Sequence, residues 1–125
     1  MKKSIFIALA ALSVAFPVSV SARETRCGWY GEALYLKDSQ GTWIMMNHRG
    51  FSAKGQNNLP SFEGKEHIFL PRSSLDPKFG GDIYGCACLE VETNKSKKFI
   101  TMIYGGEILP LSTCREDPNL PQKPY

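Results

Sequence analysis

Cys86 and Cys88, in YGCACLEVE at residues 84–92, are the side chains of this sequence with the clearest capacity for chemistry, and a single alanine separates them. Thiols at that spacing serve as a redox pair, as two ligands of a metal, or as the feet of two separate cross-links. A redox pair wants a depressed thiol pKa, usually at a helix N-terminus, whereas the β-branched and aromatic run from Ile83 to Thr93 reads as a strand. Zinc wants Cys-x-x-Cys spacings or histidines at matching intervals. Neither His48 nor His67 stands at ligand spacing from a cysteine, so no metal site is expected. On a strand, residues i and i+2 share a face about 6.5 to 7 Å apart, at or beyond the usual Cα span of a disulfide. Each thiol is therefore expected to bond a distant partner, and only Cys27 and Cys114 remain. Two pairings stay open: Cys27–Cys86 with Cys88–Cys114, or Cys27–Cys88 with Cys86–Cys114.

With every thiol cross-linked, none is left for a Cys-His nucleophilic pair. Ser73, Ser74, His67 and Asp76 lie close in sequence, but no G-x-S-x-G elbow accompanies them. Glu63 and Glu66 read as solvated charges, His67 as an exposed strand position and His48 as a turn residue. No catalytic residue and no cofactor is expected. A second expectation, from a different class, is a small envelope enzyme: a thiol-disulfide oxidoreductase using Cys86 and Cys88, or a hydrolase using His67.

The bridges imply an oxidising compartment, and the first residues agree. MKKSIFIALAALSVAFPVSVSA joins Lys2-Lys3 to an apolar run from Ile5 to Phe16, then small residues up to Ala22. This is the pattern of a signal peptide cleaved after Ala22, and its apolar stretch falls well short of the roughly twenty residues a membrane span needs. Of 15 Lys and Arg, Lys2 and Lys3 leave with it, so 13 face 12 Asp and Glu. A net charge near +1 with scattered cations does not support nucleic-acid binding, and no membrane insertion is expected after cleavage. Residues 23–125 are expected to form one periplasmic or secreted domain, of a size at which staples help.

The positioning elements follow from composition. Cys27 to Lys37 reads as a strand interrupted by Gly28 and Gly31, paired through the turn residues Asp38 to Gly41 with a second strand, Thr42 to Met46. Residues 50–62 carry too many Gly, Asn and Pro breakers to be regular. Glu66 to Leu70 is a short strand, and Arg72 to Asp82 is again turn-rich. Ile83 to Thr93 and Phe99 to Tyr104 form a hairpin about Asn94 to Lys97, and Gly105-Gly106 reads as another tight turn before a strand at Ile108 to Leu111. The tail 115–125, with Pro118, Pro121 and Pro124, cannot continue a sheet. The expected fold is mainly β: a small antiparallel sheet or partly open barrel with long loops, stapled by two disulfides.

RCGWY (26–30), GTWI (41–44), YGCACL (84–89) and PLSTCREDPNLP (110–121) together resemble a family of small exported bacterial proteins catalogued only as a domain of unknown function. The resemblance spans nearly all of the chain after Ala22. It departs at GEALYL, where the family often carries paired tryptophans. What it implies is a bacterial, exported, cysteine-containing module, and it carries over no activity and no catalytic residue.

The functional expectation is a non-catalytic binding or inhibitor-type module. It would present the 47–62 and 71–84 loops to an envelope or foreign protein, or to a glycan. Arg49, Phe51, Phe62, Arg72 and Tyr84 are the candidate binding residues, with the aromatics left exposed to stack or anchor.

Overall fold

A computed structural model describes residues 22–32, 34–71 and 81–122. The expected signal segment lies outside the described residues, apart from Ala22. So does most of the expected turn-rich stretch, including Arg72.

Among the described residues there are six strands, one short α-helix and a 3-10 turn at Gln56–Asn58: β1 (Glu24–Gly31), β2 (Tyr35–Asp38), β3 (Gly41–Ile44), β4 (Ile68–Pro71), β5 (Gly81–Asn94), β6 (Phe99–Leu109) and α1 (Leu111–Arg115). The sheet runs β1-β2-β3-β6-β5-β4, and β1 also pairs with β5, so five strands close into a ring. Neighbours are antiparallel except at the seam, where β3 meets β6 in parallel at Ile44 and Phe99. Tyr84 pairs with Gly31 on one edge of β5 and with Ile68 on the other, which hangs β4 outside the ring beyond the end of β6.

Three expectations are corrected. The single strand from Cys27 to Lys37 is two strands, because the chain reverses between Gly31 and Tyr35. Leu34 adopts a left-handed φ of 68° there, and its N–H donates to the Gly31 carbonyl; leucine gives no turn signal that sequence reading would catch. Gly105-Gly106 is not a turn. It lies within β6, where the pairing Glu90↔Gly105 is followed by Val91↔Ile103, so Tyr104 is an extra, bulged residue. A second register shift, between Glu92↔Met102 and Thr93↔Ile100, leaves Thr101 extra. Bulges sharpen the local twist and bend a strand, which allows one long hairpin to wrap two sides of the ring. The residues after Leu109 are not extended strand either, since Leu111–Arg115 forms one helical turn.

Strand alternation divides the interior from the outside. Tyr30, Leu36, Trp43, Met45, Ala87, Leu89, Val91, Ile100 and Ile103 fill the ring together with Ala53 and Phe62. At about 25 cal/mol per Å² of apolar surface removed from water, this cluster supplies most of the drive to fold. Trp29 and Cys86 face outward on β1 and β5, yet they are buried because the C-terminal segment covers them. Cys114 on α1 bonds Cys86, and the Trp29 indole N–H donates to the Pro121 carbonyl at 2.7 Å. The proline-rich tail thus serves as a lid on the outer face of β1 and β5.

Candidate functional site

Beyond Ile44 the chain leaves β3, makes a small excursion, and returns to run beside β6. Met46 bridges Ser52 in antiparallel fashion, and Lys54 bridges Met102 in parallel. Asn47 fixes the excursion from within: its side-chain oxygen accepts the N–H groups of Arg49 (2.9 Å) and Phe51 (3.1 Å), and its own N–H donates to the Phe51 carbonyl. This is turn chemistry of the kind asparagine supplies. Behind it, the Lys54 N–H donates to the bulged Thr101 carbonyl, and the Ile103 N–H donates to the Lys54 carbonyl. Gly55 adopts φ 81°, and a β-carbon there would stand 2.1 Å from the Ile103 carbonyl oxygen, so only glycine allows this approach. The segment expected to be an irregular loop is therefore bonded to the sheet along much of its length.

What this excursion presents is compact. The Phe51 ring stacks on Phe99 with centroids 4.1 Å apart and planes 15° from parallel. Both rings are half-buried, Phe51 against the ring core, while Met46, paired with Ser52, is 49% exposed and Arg49 is exposed at the tip. Phe99 directly follows the Lys95–Lys98 turn of the β5–β6 hairpin, so the aromatic pair lies next to Lys97 and Lys98. Residues 39–62 include Arg49 and Lys54 and no Asp or Glu; residues 93–106 include Lys95, Lys97 and Lys98 and again no acid. Every charged residue along these two segments is therefore a cation.

The five expected binding residues do not meet at one place. Arg49 and Phe51 share this surface. Phe62 is turned inward, stacked 5.2 Å from Tyr30 in the ring core, because its loop closes that end of the ring. Tyr84 is fully buried, on the stretch of β5 flanked by β1 and β4. Both are corrections to the expected exposed aromatics, and Arg72 lies outside the described residues. Sequence reading missed Met46 and Phe99. Both sit in strand-like runs, and only the return of the chain past β6 sets Phe51 on a half-buried Phe99 and leaves Met46 exposed.

A second feature unforeseen in the sequence plugs the ring beneath this surface. Arg26, buried on β1, meets Asp38 at 2.7 Å and Glu24 at 2.6 Å, and its guanidinium lies 3.9 Å from the Trp43 ring centroid. Asp38 also accepts from the Trp43 indole N–H at 2.9 Å and from the Gln40 backbone N–H at 2.8 Å. Lys98 stands 4.6 Å from the Trp43 ring and donates to the Gln40 carbonyl. The network ties the β2–β3 turn to the β5–β6 turn, so the lysine-bearing tip is held rather than loose.

All four cysteines are bridged, Cys27 to Cys88 and Cys86 to Cys114. Of the two pairings open from sequence, the second is the one formed. Cys27 lies directly opposite Cys88 in the β1–β5 ladder. His67 is exposed, with Nδ1 2.7 Å from the Lys65 carbonyl oxygen. Burial pushes the Tyr30 hydroxyl up to about 12, and burial together with Asp82 holds Tyr35 well above the ordinary phenol range. The Tyr35 hydroxyl donates to Asp82 at 3.0 Å. No helix among the described residues is long and apolar enough to cross a membrane.

The fold and bridges define a class: a small β-ring protein stapled by two disulfides, the chemistry of an oxidising, extracellular-type environment. The chain belongs to the family described as Protein of unknown function (DUF4087), whose match covers residues 21–121. No curated protein and no solved structure matches it.

Proposed function

We propose that this is an exported, non-catalytic binding module of inhibitor type, acting on an envelope or foreign protein through the surface formed by Met46, Arg49, Phe51 and Phe99. The observation that carries the reading is the bonding of the 46–54 segment. An exposed arginine and a stacked aromatic pair are held in place by Asn47 and by β6 before any partner arrives. A surface already ordered loses little entropy on association, and that saving appears as affinity. Arginine beside aromatic rings is also the composition of interface hot spots.

Charge selects the partner. Five cations and no acid along residues 39–62 and 93–106 favour a negatively charged protein surface, through steering and through the cost of like-charge contact with any other. Topology supports the same location by analogy alone: the cyclic strand order with one parallel seam is that of OB-type rings, which bind ligands near the corresponding strands and hairpin loop.

Photo-crosslinking tests the reading. Benzoylphenylalanine in place of His48, exposed next to Arg49, is expected to capture one envelope protein at low salt, with capture lost at high salt and in the Lys97→Glu variant. The same photoprobe in place of Glu116, exposed near the C-terminal lid, is expected to capture nothing specific. Equal capture from both positions, or none from position 48, would overturn the assignment.

A further inference from the structure

The two disulfides are not equivalent. Cys86 and Cys114 are each 1% exposed beneath the C-terminal lid, whereas Cys27 is exposed and Cys88 half-buried on the outer face of β1 and β5. Cys88 also lines a cleft of about 310 Å³ together with Thr25, Glu90, Gly106 and Glu107. The positions of these residues across the sheet matter. Cys88 pairs with Cys27 of β1 on one edge of β5 and with Glu107 of β6 on the other. The disulfide therefore points from β1 toward β5, and the cleft extends to the β6 side of Cys88, opposite Cys27.

Thiol-disulfide exchange proceeds by attack of a thiolate on one sulfur, with the incoming and leaving sulfurs arranged in line. The cleft offers that approach to Cys88 Sγ, and Cys27 is placed to leave into water. We infer that Cys27–Cys88 is a thiol-exchange site, attacked at Cys88 through the cleft, and that it takes a neutral or cationic dithiol reductant in preference to an anionic one.

The exchange balances. The reductant's first thiolate forms a bond to Cys88 Sγ, the Cys27–Cys88 bond breaks, and the electron pair leaves on Cys27 Sγ, which takes up a proton. The reductant's second thiolate then attacks its own sulfur in the mixed disulfide. The intermolecular bond breaks, Cys88 departs as a thiolate and is protonated, and the reductant is left as a disulfide. Two electrons and two protons pass to the protein. Glu90 and Glu107 supply the charge preference, since carboxylates at the mouth repel an anionic attacker. Glu90 is partly offset by Arg23, 3.0 Å away, and by Thr25, whose hydroxyl donates to it, which makes Glu107 the group to test. The bridge can open without loss of the fold, because eight ladder pairs continue to hold β1 to β5 and Cys86–Cys114 stays closed.

The oxidised protein treated with cysteamine, 2-mercaptoethanol or mercaptoethanesulfonate, quenched by alkylation and mapped by mass spectrometry, tests this. Each rate is divided by the same thiol's rate on an oxidised short peptide. Label is expected first at Cys27, with the mixed disulfide on Cys88, and at Cys88 once a second thiol molecule releases the adduct as its own disulfide, all well before Cys86 and Cys114, with normalised rates falling several-fold from the cationic to the anionic thiol. Glu107→Gln is expected to narrow that spread while circular dichroism stays unchanged. Both bridges opening together, adducts on Cys27 instead of Cys88, or rates indifferent to reagent charge in the native protein would each overturn the inference.

Discussion

The guanidinium of Arg26 and the carboxylate of Asp38 meet at 2.7 Å with both side chains less than one-tenth exposed, inside the end of a small ring. Removing one partner of such a pair leaves an uncompensated buried charge, at a cost of about 3–5 kcal/mol. Asp38→Ala also strips the acceptor from the Trp43 indole and the Gln40 backbone N–H. Urea unfolding of the oxidised protein is expected to show a loss in that range, with Asp38→Asn losing less because it keeps an acceptor oxygen. Arg23→Ala, which breaks the exposed pair with Glu90, is expected to cost less than about 1 kcal/mol.

The C-terminal lid is expected to behave as a cover for Trp29. Ending the chain at Asp117 removes the Pro121 carbonyl and Leu120 from the indole while leaving Cys86–Cys114 intact. Acrylamide should then quench one of the two tryptophans and leave Trp43 protected. Trp29→Phe in the full chain loses the indole hydrogen bond and leaves a void where the larger ring packed, at about 1–3 kcal/mol.

Gly55 separates the rigidity of the binding surface from its composition. Gly55→Ala forces a β-carbon against the Ile103 carbonyl in a backbone conformation that alanine resists. The 52–58 segment should detach from β6, visible as faster hydrogen exchange at the Lys54 and Ile103 amides. Capture through position 48 should weaken even though Met46, Arg49, Phe51 and Phe99 all remain.

Alkali is expected to unfold the protein. Tyr30, at about 12, holds its proton through burial. Tyr35 is raised by burial and Asp82, and Tyr104 chiefly by its hydrogen bond to Glu92. The unfolded chain releases these protons near pH 10, so above that pH it binds fewer protons than the native state and stability falls as pH rises. Below pH 10 the contribution is complete. Absorbance at 295 nm should show the Tyr30 and Tyr35 phenols silent until the fold is lost. Tyr35→Phe should reduce the slope of stability against pH between about 10 and 12.

Strand-forming runs, the turns at Asp38–Gly41 and Asn94–Lys97, and the refusal of Cys86 and Cys88 to bond each other were legible in the chain, because each depends on spacing along a few residues. The choice of Cys27–Cys88 over Cys27–Cys86 was not, since it depends on which residues of β1 and β5 stand opposite. The same holds for Arg26, whose partners lie on another strand. Phe51 and Phe62 look alike in sequence, yet one is half-buried, stacked on Phe99 along the flank of the core, and the other is consumed by the core. Local stereochemistry set the β character and required each of Cys86 and Cys88 to find a distant partner. Only closure of the ring decided which aromatics remain outside and which disulfide meets solvent, because burial is a property of what packs from elsewhere in the chain.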